Sequence, residues 1–212
     1  MSTAPALIPV AEAQARLFAL GALIPVEIVP LGQSLGRWAA QDVLALRTQP
    51  AADLSAMDGY AIRFADLPGP FRLIGESAAG RAFAGTLGAG ETTRIFTGAP
   101  MPQGADSVLV QEEADARGDE IHLTGEGPGR EGGNVRLRGL DFHHAEVLIA
   151  AGERITAARL AVATIGGHAT LIVRRRVVVA IVGTGDELVR PGMPLRDDQL
   201  PESNGAMLAA ML

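Results

Sequence analysis

The stretch SAMDGYAIR at residues 55–63 carries the pattern that decides the fold class of this chain. From Tyr60 onward every second position holds a large side chain, with Ile62 and Phe64 continuing the series. Such alternation predicts a β-strand, because successive side chains of a strand point to opposite faces. The preceding Asp-Gly dipeptide is a strong turn signal, so we expect the strand to follow a turn.

Residues 47–144 repeat this alternating pattern, with Gly and Pro separating short segments that favour strands. Further strands are predicted at residues 71–75, 93–97, 107–111, 120–124 and 134–138. The glycine-rich residues 125–133 favour a long turn or loop. Together these patterns are typical of a small β-rich domain.

The sequence on both sides of this stretch predicts mixed structure. Pro9 suits the first turn of a helix that Gly21 would end, with apolar residues at helical spacing between them. Thr156 is a good N-cap for a helix that ends near residue 165. The other elements predicted here are a short helix at 35–41 and strands at 43–46, 147–150 and 169–173.

The character of the chain changes again at VVVAIV, residues 177–182. A continuous apolar run predicts a parallel strand that is covered on both faces. The segment SNGAMLAAML, which begins at Ser203, predicts a helix. Because a parallel strand needs neighbours and no further strand pattern follows, we expect a truncated α/β domain and a sequence that is a fragment.

Composition excludes several classes of chemistry. Apolar residues make up 48% of the 212, which allows sizeable cores, and the net charge of −6 argues against nucleic-acid binding. The sequence has no Cys and no Lys, so disulfides, thiolate metal sites and lysine chemistry cannot come from it. It has neither an apolar run of the ~20 residues that span a membrane nor a signal peptide, so we expect a cytoplasmic protein with no membrane partner.

Certain segments could carry chemistry, and each also has a purely structural explanation. They are SAMDGYAIR (55–63), RIFTGAPMPQGAD (94–106), NVRLRGLDF (134–142) and VGTGDEL (182–188). Structurally, their polar residues would belong to turns, strand ends and a solvated strand face: Asp58, Thr97, Arg136, Arg138, Asp141, Asp186 and Glu187.

Taken together and in this order, the segments resemble the molybdopterin molybdenumtransferase family, MoeA, which also includes the E domain of gephyrin. The resemblance extends over nearly the whole chain. It implies an α+β multidomain fold, in which a small β-rich domain (47–144) is inserted in an α+β domain (27–46 plus 145–173). It also implies an N-terminal helical segment (8–26) that packs with an α/β molybdopterin-binding domain, of which residues 174–212 would be an incomplete start.

The resemblance implies an activity as well. The family transfers molybdenum from molybdate to adenylated molybdopterin, with hydrolysis of the adenylate, release of AMP and participation of Mg²⁺. The positions that match the family's site motifs, and that we expect to be catalytic, are Asp58, Thr97, Asp141 and Glu187. The carboxylates of Asp58, Asp141 and Glu187 are candidate ligands of Mg²⁺, directly or through water, because that ion prefers hard oxygen ligands.

Other residues are candidates for binding the pterin substrate. Arg136 and Arg138 are expected to attract its anionic groups, because a guanidinium matches an oxyanion with two hydrogen bonds. The matching motifs near the end of the chain add Thr184, Gly185, Asp186, Ser203 and Asn204.

The resemblance further implies a homodimer, whose site lies between the β-rich domain of one subunit and the α/β domain of the other, and other proteins of molybdenum cofactor biosynthesis as partners. The family's α/β domain normally carries a Gly-Gly-Val-Ser-type loop, an Asp and essential Lys residues that these 212 residues lack. A non-catalytic binding or dimerisation fragment therefore stays open as the alternative.

Overall fold

The computed structural model describes residues 8–212. They form two compact units, one of Val26–Arg174 and one that joins the residues before Val26 with Arg175–Leu212. The helices are α1 (Val10–Leu20), α2 (Ala157–Ile165) and α3 (Asn204–Met211). The strands are β1 (Val26–Pro30), β2 (Val43–Leu44), β3 (Leu54–Ser55), β4 (Gly59–Ile62), β5 (Phe71–Ser77), β6 (Glu91–Ile95), β7 (Ser107–Val110), β8 (Ala114–Arg117), β9 (Glu120–Leu123), β10 (Val135–Arg136), β11 (Val147–Ile149), β12 (Thr170–Arg174), β13 (Leu188–Val189) and β14 (Leu200–Pro201).

The largest sheet has six strands in the order β7-β4-β6-β5-β9-β8. β4 is antiparallel to both of its neighbours, whereas β5 runs parallel to β6. Ala61 and Ile62 are adjacent in β4, yet both are fully buried, each in a different apolar cluster. Because neighbouring residues of a strand point to opposite faces, β4 is covered on both faces of the sheet.

A separate core belongs to the chain on both sides of this sheet. β1 pairs with β12 and β2 pairs with β11, so segments from before and after the six-stranded sheet lie side by side. Their buried residues and those of α2 form one cluster: Val29, Ala39, Val43, Ile149, Ile155, Ala163, Leu171 and Val173. A β-rich domain inserted in an α+β domain is therefore confirmed as the fold class, while the boundaries at residues 47 and 144 stay predictions.

The points at which the chain enters and leaves the β-rich part lie next to each other. Gln49 N–H donates to the Phe142 carbonyl at 2.9 Å, and Phe142 N–H donates back to the Gln49 carbonyl at 3.2 Å. The Asp141 N–H also donates to the Gln49 carbonyl, at 3.0 Å. The chain thus enters and leaves the β-rich part through a single antiparallel bridge.

Several predicted elements are confirmed. The helices expected at residues 9–21, from Thr156 and from Ser203 are present as α1, α2 and α3. The Thr156 hydroxyl accepts a hydrogen bond from the Arg159 N–H at 3.3 Å, as an N-cap side chain does. Five strands have no counterpart among the predicted elements: β1, β3, β8, β13 and β14.

The helix predicted at residues 35–41 is wrong. Trp38 and Ala39 form β-bridges with Arg154 and Val173, so this segment lies against the edge of β12 as extended chain. Gly36 has a φ of +76°, a left-handed conformation that interrupts a helix. Trp38 and Ala39 pair with residues distant in sequence, and this pairing overrides the local helix propensity that their spacing suggested.

The buried strand predicted at residues 177–182 is also wrong. These residues form no strand, and Val178 is 94% exposed. Backbone pairing is what holds a parallel strand, and none is present at these residues. Nearby, β13 and β14 form a short parallel pair.

Candidate functional site

The first element of the site lies at one edge of the six-stranded sheet, where β4 begins and β6 ends. Because these strands are antiparallel, with Gly59 opposite Ile95, Asp58 just before β4 comes close to Thr97 just after β6. One oxygen of Asp58, Oδ1, accepts hydrogen bonds from both the Thr97 backbone N–H and the Thr97 hydroxyl, each at 2.7 Å. Two residues that the sequence selected are therefore in direct contact.

These contacts determine the charge of Asp58. The pKa of its carboxyl is lowered, first by the hydrogen bond from the Thr97 N–H, then by the Thr97 hydroxyl, with a smaller contribution from the positive charge of Arg94; desolvation opposes the shift. The group is thus an anion at neutral pH. Among residues 8–212, no hydrogen bond reaches its second oxygen, Oδ2, which is free to accept one or to bind a cation.

Gly59 holds the start of β4 against β7. A Cβ atom at this residue would lie 2.0 Å from the Leu109 carbonyl oxygen and 3.0 Å from the Val110 Cα, both of them backbone atoms. The chain bends at residues 56–58 just before β4, and Gly59 itself is an extended strand residue without the left-handed conformation. The glycine is required because another backbone approaches closely.

The second element of the site follows β10, which pairs with β3 so that Arg136 lies opposite Leu54. The Arg136 guanidinium and Asp141 form an ion pair at 3.0 Å, and both side chains are more than 40% exposed. β3 connects the two elements, because its Ser55 accepts a hydrogen bond from the Gly98 N–H at 2.8 Å and lies opposite Val135 on the other side. The structure therefore pairs Asp58 with Thr97 and Arg136 with Asp141 on the two sides of one short strand.

The two arginines of this element differ in whether their guanidinium nitrogens already have a partner. Arg136 is neutralised by Asp141. Arg138 is anchored through its backbone N–H to Asp53 at 2.7 Å and through Nε to the Ala51 carbonyl at 3.2 Å. Within residues 8–212 no acceptor is bonded to its two terminal nitrogens, so Arg138 keeps an exposed cationic end.

The remaining candidate residues belong to the other compact unit. Glu187 is exposed, and its carboxylate bends back toward Gly185, where a Cβ atom would be only 2.6 Å from it. Ser203 is the N-cap residue of α3, but its side chain makes no capping bond. The cap is instead provided by Glu202, a residue outside the predicted set, which accepts from the Gly205 N–H at 2.6 Å. Thr184, Asp186 and Asn204 are exposed.

Metal binding by the described residues alone has a clear limit. Across residues 8–212, no three His, Cys, Asp or Glu side chains lie close enough together to hold a metal ion. Magnesium, however, is commonly held by one or two carboxylates together with waters and substrate phosphates. The free oxygen of Asp58 fits that use, whereas Asp141 is already occupied by Arg136.

Sequence reasoning missed Arg94 as a residue of this site. Its guanidinium lies over two aromatic rings, 5.1 Å from the centroid of Tyr60 and 5.0 Å from that of Phe96. A signal was present, because Arg94 and Phe96 occupy alternate positions and so share one face of the strand. The contact with Tyr60 depends on the pairing of β4 with β6, which the sequence does not reveal.

The fold and these contacts define a multidomain α+β protein, with an acidic and hydroxyl pair at the edge of an inserted β-rich domain. A family model described as the MoeA N-terminal region (domain I and II) matches residues 8–167. The chain therefore belongs to the MoeA family, in the N-terminal region of that family.

Individual relatives agree with this assignment. The chain is 37% identical over 194 residues to a molybdopterin molybdenumtransferase of Nostoc, covering 88% of this chain and 44% of that protein. It is 38% identical over 190 residues to molybdopterin molybdenumtransferase 2 of Mycobacterium tuberculosis, covering 86% of this chain and 46% of the relative. The chain thus spans about half the length of the curated relatives that it matches.

A solved structure shares the fold. The crystal structure of a molybdopterin biosynthesis MoeA protein from Pyrococcus horikoshii OT3 superposes with a TM-score of 0.86 at 28% identity, covering 97% of this chain and 56% of that one. A second such structure, from the same genus, gives a TM-score of 0.83 at 31% identity. In the part of the chain that the structure describes, no helix is both long and apolar enough to cross a membrane.

Proposed function

We propose that this chain takes part in molybdenum cofactor biosynthesis, as the N-terminal portion of an enzyme that inserts molybdenum from molybdate into adenylated molybdopterin and releases AMP. The observation that carries the proposal is the Asp58–Thr97 pair, an ionised carboxylate with one free oxygen at the edge of the β-rich domain. Its setting in a MoeA-family chain, whose curated relatives are named for this transfer, supports the same activity.

In the proposed reaction, water adds to a phosphorus atom of the adenylate and AMP leaves. Oδ2 of Asp58 orients this water by accepting a hydrogen bond from it, while Thr97 holds Oδ1 and so fixes the direction of the free oxygen. Mg²⁺, when bound, would neutralise charge on the phosphates and would use Asp58 as a protein ligand. Because the Thr97 bonds keep the pKa of Asp58 low, the carboxylate is ready for either role at neutral pH.

Arg138 is the better candidate of the two arginines for binding the phosphates. Its terminal nitrogens have no protein acceptor among residues 8–212, whereas Arg136 already has a carboxylate partner. A guanidinium with two free donors binds a phosphate oxyanion strongly. We therefore assign Arg138 to the substrate and Arg136 to the orientation of Asp141. Glu187, Thr184, Gly185, Asp186, Ser203 and Asn204 remain proposed contributors from the second compact unit.

The test is AMP release from adenylated molybdopterin in the presence of molybdate and Mg²⁺. Since the chain spans about half of its relatives, it is assayed alone and as a chimera completed by the C-terminal half of the Staphylococcus aureus relative, which it matches at 32% identity over 211 residues. In the chimera, Asp58→Asn is expected to lower the rate roughly 10²-fold or more, the range that a positioned acid or base contributes.

A matched control is Asp115→Asn. Asp115 is an Asp on the exposed hairpin of β8 and β9, where it is paired with Arg117. This variant should keep the rate of the parent. If Asp58→Asn releases AMP as fast as Asp115→Asn, Asp58 has no part in the chemistry and the proposal fails.

A second candidate function is dimerisation without catalysis, favoured by an exposed apolar face. Val26 and Ile28 point outward from β1, and Trp38 lies nearby on the strand-like segment beyond β12; each is more than half exposed. Sedimentation should show a dimer that Ile28→Glu disrupts and that Leu140→Glu, at an exposed residue of the β-rich part, does not. A dimer with no affinity for adenylated molybdopterin would favour this second function, whereas a monomer at all concentrations would exclude it.

A further inference from the structure

Arg94 makes an unusual set of contacts around the carboxylate that the proposed function uses. Its guanidinium lies between the rings of Tyr60 and Phe96, at 5.1 and 5.0 Å from their centroids. A cation over an aromatic face is attracted by the ring quadrupole, and a second ring restricts the guanidinium further. The planar group is thereby fixed in orientation rather than free in solvent.

The hydrogen bonds of Arg94 lead to the backbone carbonyls of Gly59 and, through Gln111, Asp58. Nη1 donates to the carbonyl of Gly59, the next residue along the chain, at 3.2 Å, and Nη2 donates to Oε1 of Gln111 at 2.5 Å. Gln111 in turn donates its backbone N–H to the carbonyl of Asp58 at 3.1 Å. The carbonyls of Asp58 and Gly59 thus accept hydrogen bonds that lead, through Gln111 or directly, to one guanidinium.

Arg94 is also connected to the other partner of the pair, because it lies on β6 three positions before Thr97. The ring of Phe96, which Arg94 contacts, lies between them in sequence. Arg94 consequently joins the start of β4 to the end of β6, the two chain ends that must stay together for Thr97 to bond to Asp58.

We infer that Arg94 is a positioning residue for Asp58: fixed between Tyr60 and Phe96, it holds the carboxylate and Thr97 in register and supplies a positive charge beside the anion without binding to it. This inference deepens the proposed function, since it concerns the same carboxylate.

Other charged groups around Arg94 have partners or positions of their own. Glu76 lies opposite Arg94 in the pairing of β5 with β6, and its carboxylate is paired with Arg81. Glu112, in the turn after β7, accepts a hydrogen bond from the Gln111 amide at 3.3 Å. Tyr60 contributes its ring to Arg94 from β4. Arg94, by contrast, donates directly to the backbone of Gly59, the residue next to Asp58.

The experiment measures two properties of the folded chain that need no enzymatic activity. The exchange of the Thr97 amide and that of the Gln111 amide, which bonds to the Asp58 carbonyl, are followed in deuterated buffer. Arg94→Met removes the charge and the hydrogen bonds, Arg94→Lys keeps the charge and the ring contacts, and Arg117→Met removes an exposed arginine from the hairpin of β8 and β9.

In Arg94→Met we expect the Thr97 and Gln111 amides to exchange about two- to tenfold faster, the range expected when one hydrogen bond is weakened. In Arg94→Lys both amides should still exchange faster than in the wild type, because a lysine cannot donate in two directions from a fixed plane. Arg117→Met should change neither property. If Arg94→Met does not fold, the amide exchange of Arg94→Lys decides the question alone.

Unchanged exchange of both the Thr97 and the Gln111 amide in a folded Arg94 variant would overturn the inference. This outcome is distinguishable from failure of the proposed function. If the wild-type chimera releases no AMP but the Arg94 variants shift both properties, the positioning role stands and the enzymatic proposal falls. If AMP is released but the two properties do not respond to Arg94, the reverse holds.

Discussion

Replacing Gly59 by Ala should break the packing that brings Asp58 to the edge of the sheet. The new Cβ atom would lie 2.0 Å from the Leu109 carbonyl oxygen, and real Cβ contacts are essentially never shorter than 3.0 Å. β4 and β7 must therefore separate by at least the difference, 3.0 − 2.0 = 1.0 Å. The opposing atoms are backbone, so no side-chain rotation can relieve the contact.

The expected loss of stability follows from this displacement. Overpacking a well-packed interior costs about 1–3 kcal/mol, and weakening one ladder hydrogen bond between the strands adds about 1 kcal/mol, which gives roughly 2–4 kcal/mol. With a urea slope of about 2 kcal/mol per molar, the unfolding midpoint should fall by about 1–2 M. Because Gly59 adjoins Asp58 and its carbonyl accepts from Arg94, the Thr97 amide should also lose protection.

Urea unfolding followed by circular dichroism measures this loss, with Gly129→Ala as the control. No atom lies within 4 Å of the position that a methyl group at Gly129 would occupy, and the backbone of this residue is not left-handed. Alanine there should leave the midpoint unchanged or slightly higher. If Gly59→Ala and Gly129→Ala unfold at the same urea concentration with the same slope, the argument from close backbone approach is wrong.

Further predictions concern the carboxylate, a helix cap and the apolar run. Thr97→Val should raise the pKa of Asp58 toward its ordinary 3.8, measured by ¹³C NMR. Because the pKa of Asp58 is lowered in the folded wild type, the stability that Thr97→Val loses is fully present above pH 3.8 and disappears in stronger acid. An unshifted titration of Asp58 in the variant would contradict this prediction. Thr156→Ala should cost about 1 kcal/mol in urea unfolding, and Thr156→Ser should restore most of it; equal losses would exclude the cap. Amides of residues 177–182 should exchange much faster than that of Ala61 in β4, and strong protection there would refute their exposed placement.

Alternation in the sequence is enough to predict most strands of the sheet but not their neighbours. Tyr60 and Ile62 identify β4 correctly, because period-two spacing is a property of the strand itself. That β4 lies between β7 and β6, with an apolar cluster on each face, follows from the tertiary arrangement, which no local pattern encodes. The same limit explains the wrong helix at residues 35–41, whose conformation is fixed by bridges to Arg154 and Val173.

The site could be predicted in its residue types but only partly in its contacts. The resemblance selects Asp58 and Thr97, and the structure joins them by two hydrogen bonds. It also selects Asp141 without revealing that Arg136 is its partner, which changes the expected role of that arginine. Arg94 escapes sequence reasoning because its rings and acceptors come from separate parts of the chain, and their meeting depends on strand register.

The single bridge between Gln49 and Phe142 has a consequence for how the chain folds. If the α+β domain formed while the intervening segment was still an unstructured loop, closing that loop would cost about 2 kcal/mol more entropy than closing a ten-residue loop. The reason is that the closure cost grows with the logarithm of loop length, and this loop is roughly nine times longer. A β-rich part that folds first presents its two ends already adjacent. The α+β domain then assembles as though its two segments were joined by a tight hairpin. The order of folding therefore decides whether the loop-closure cost arises.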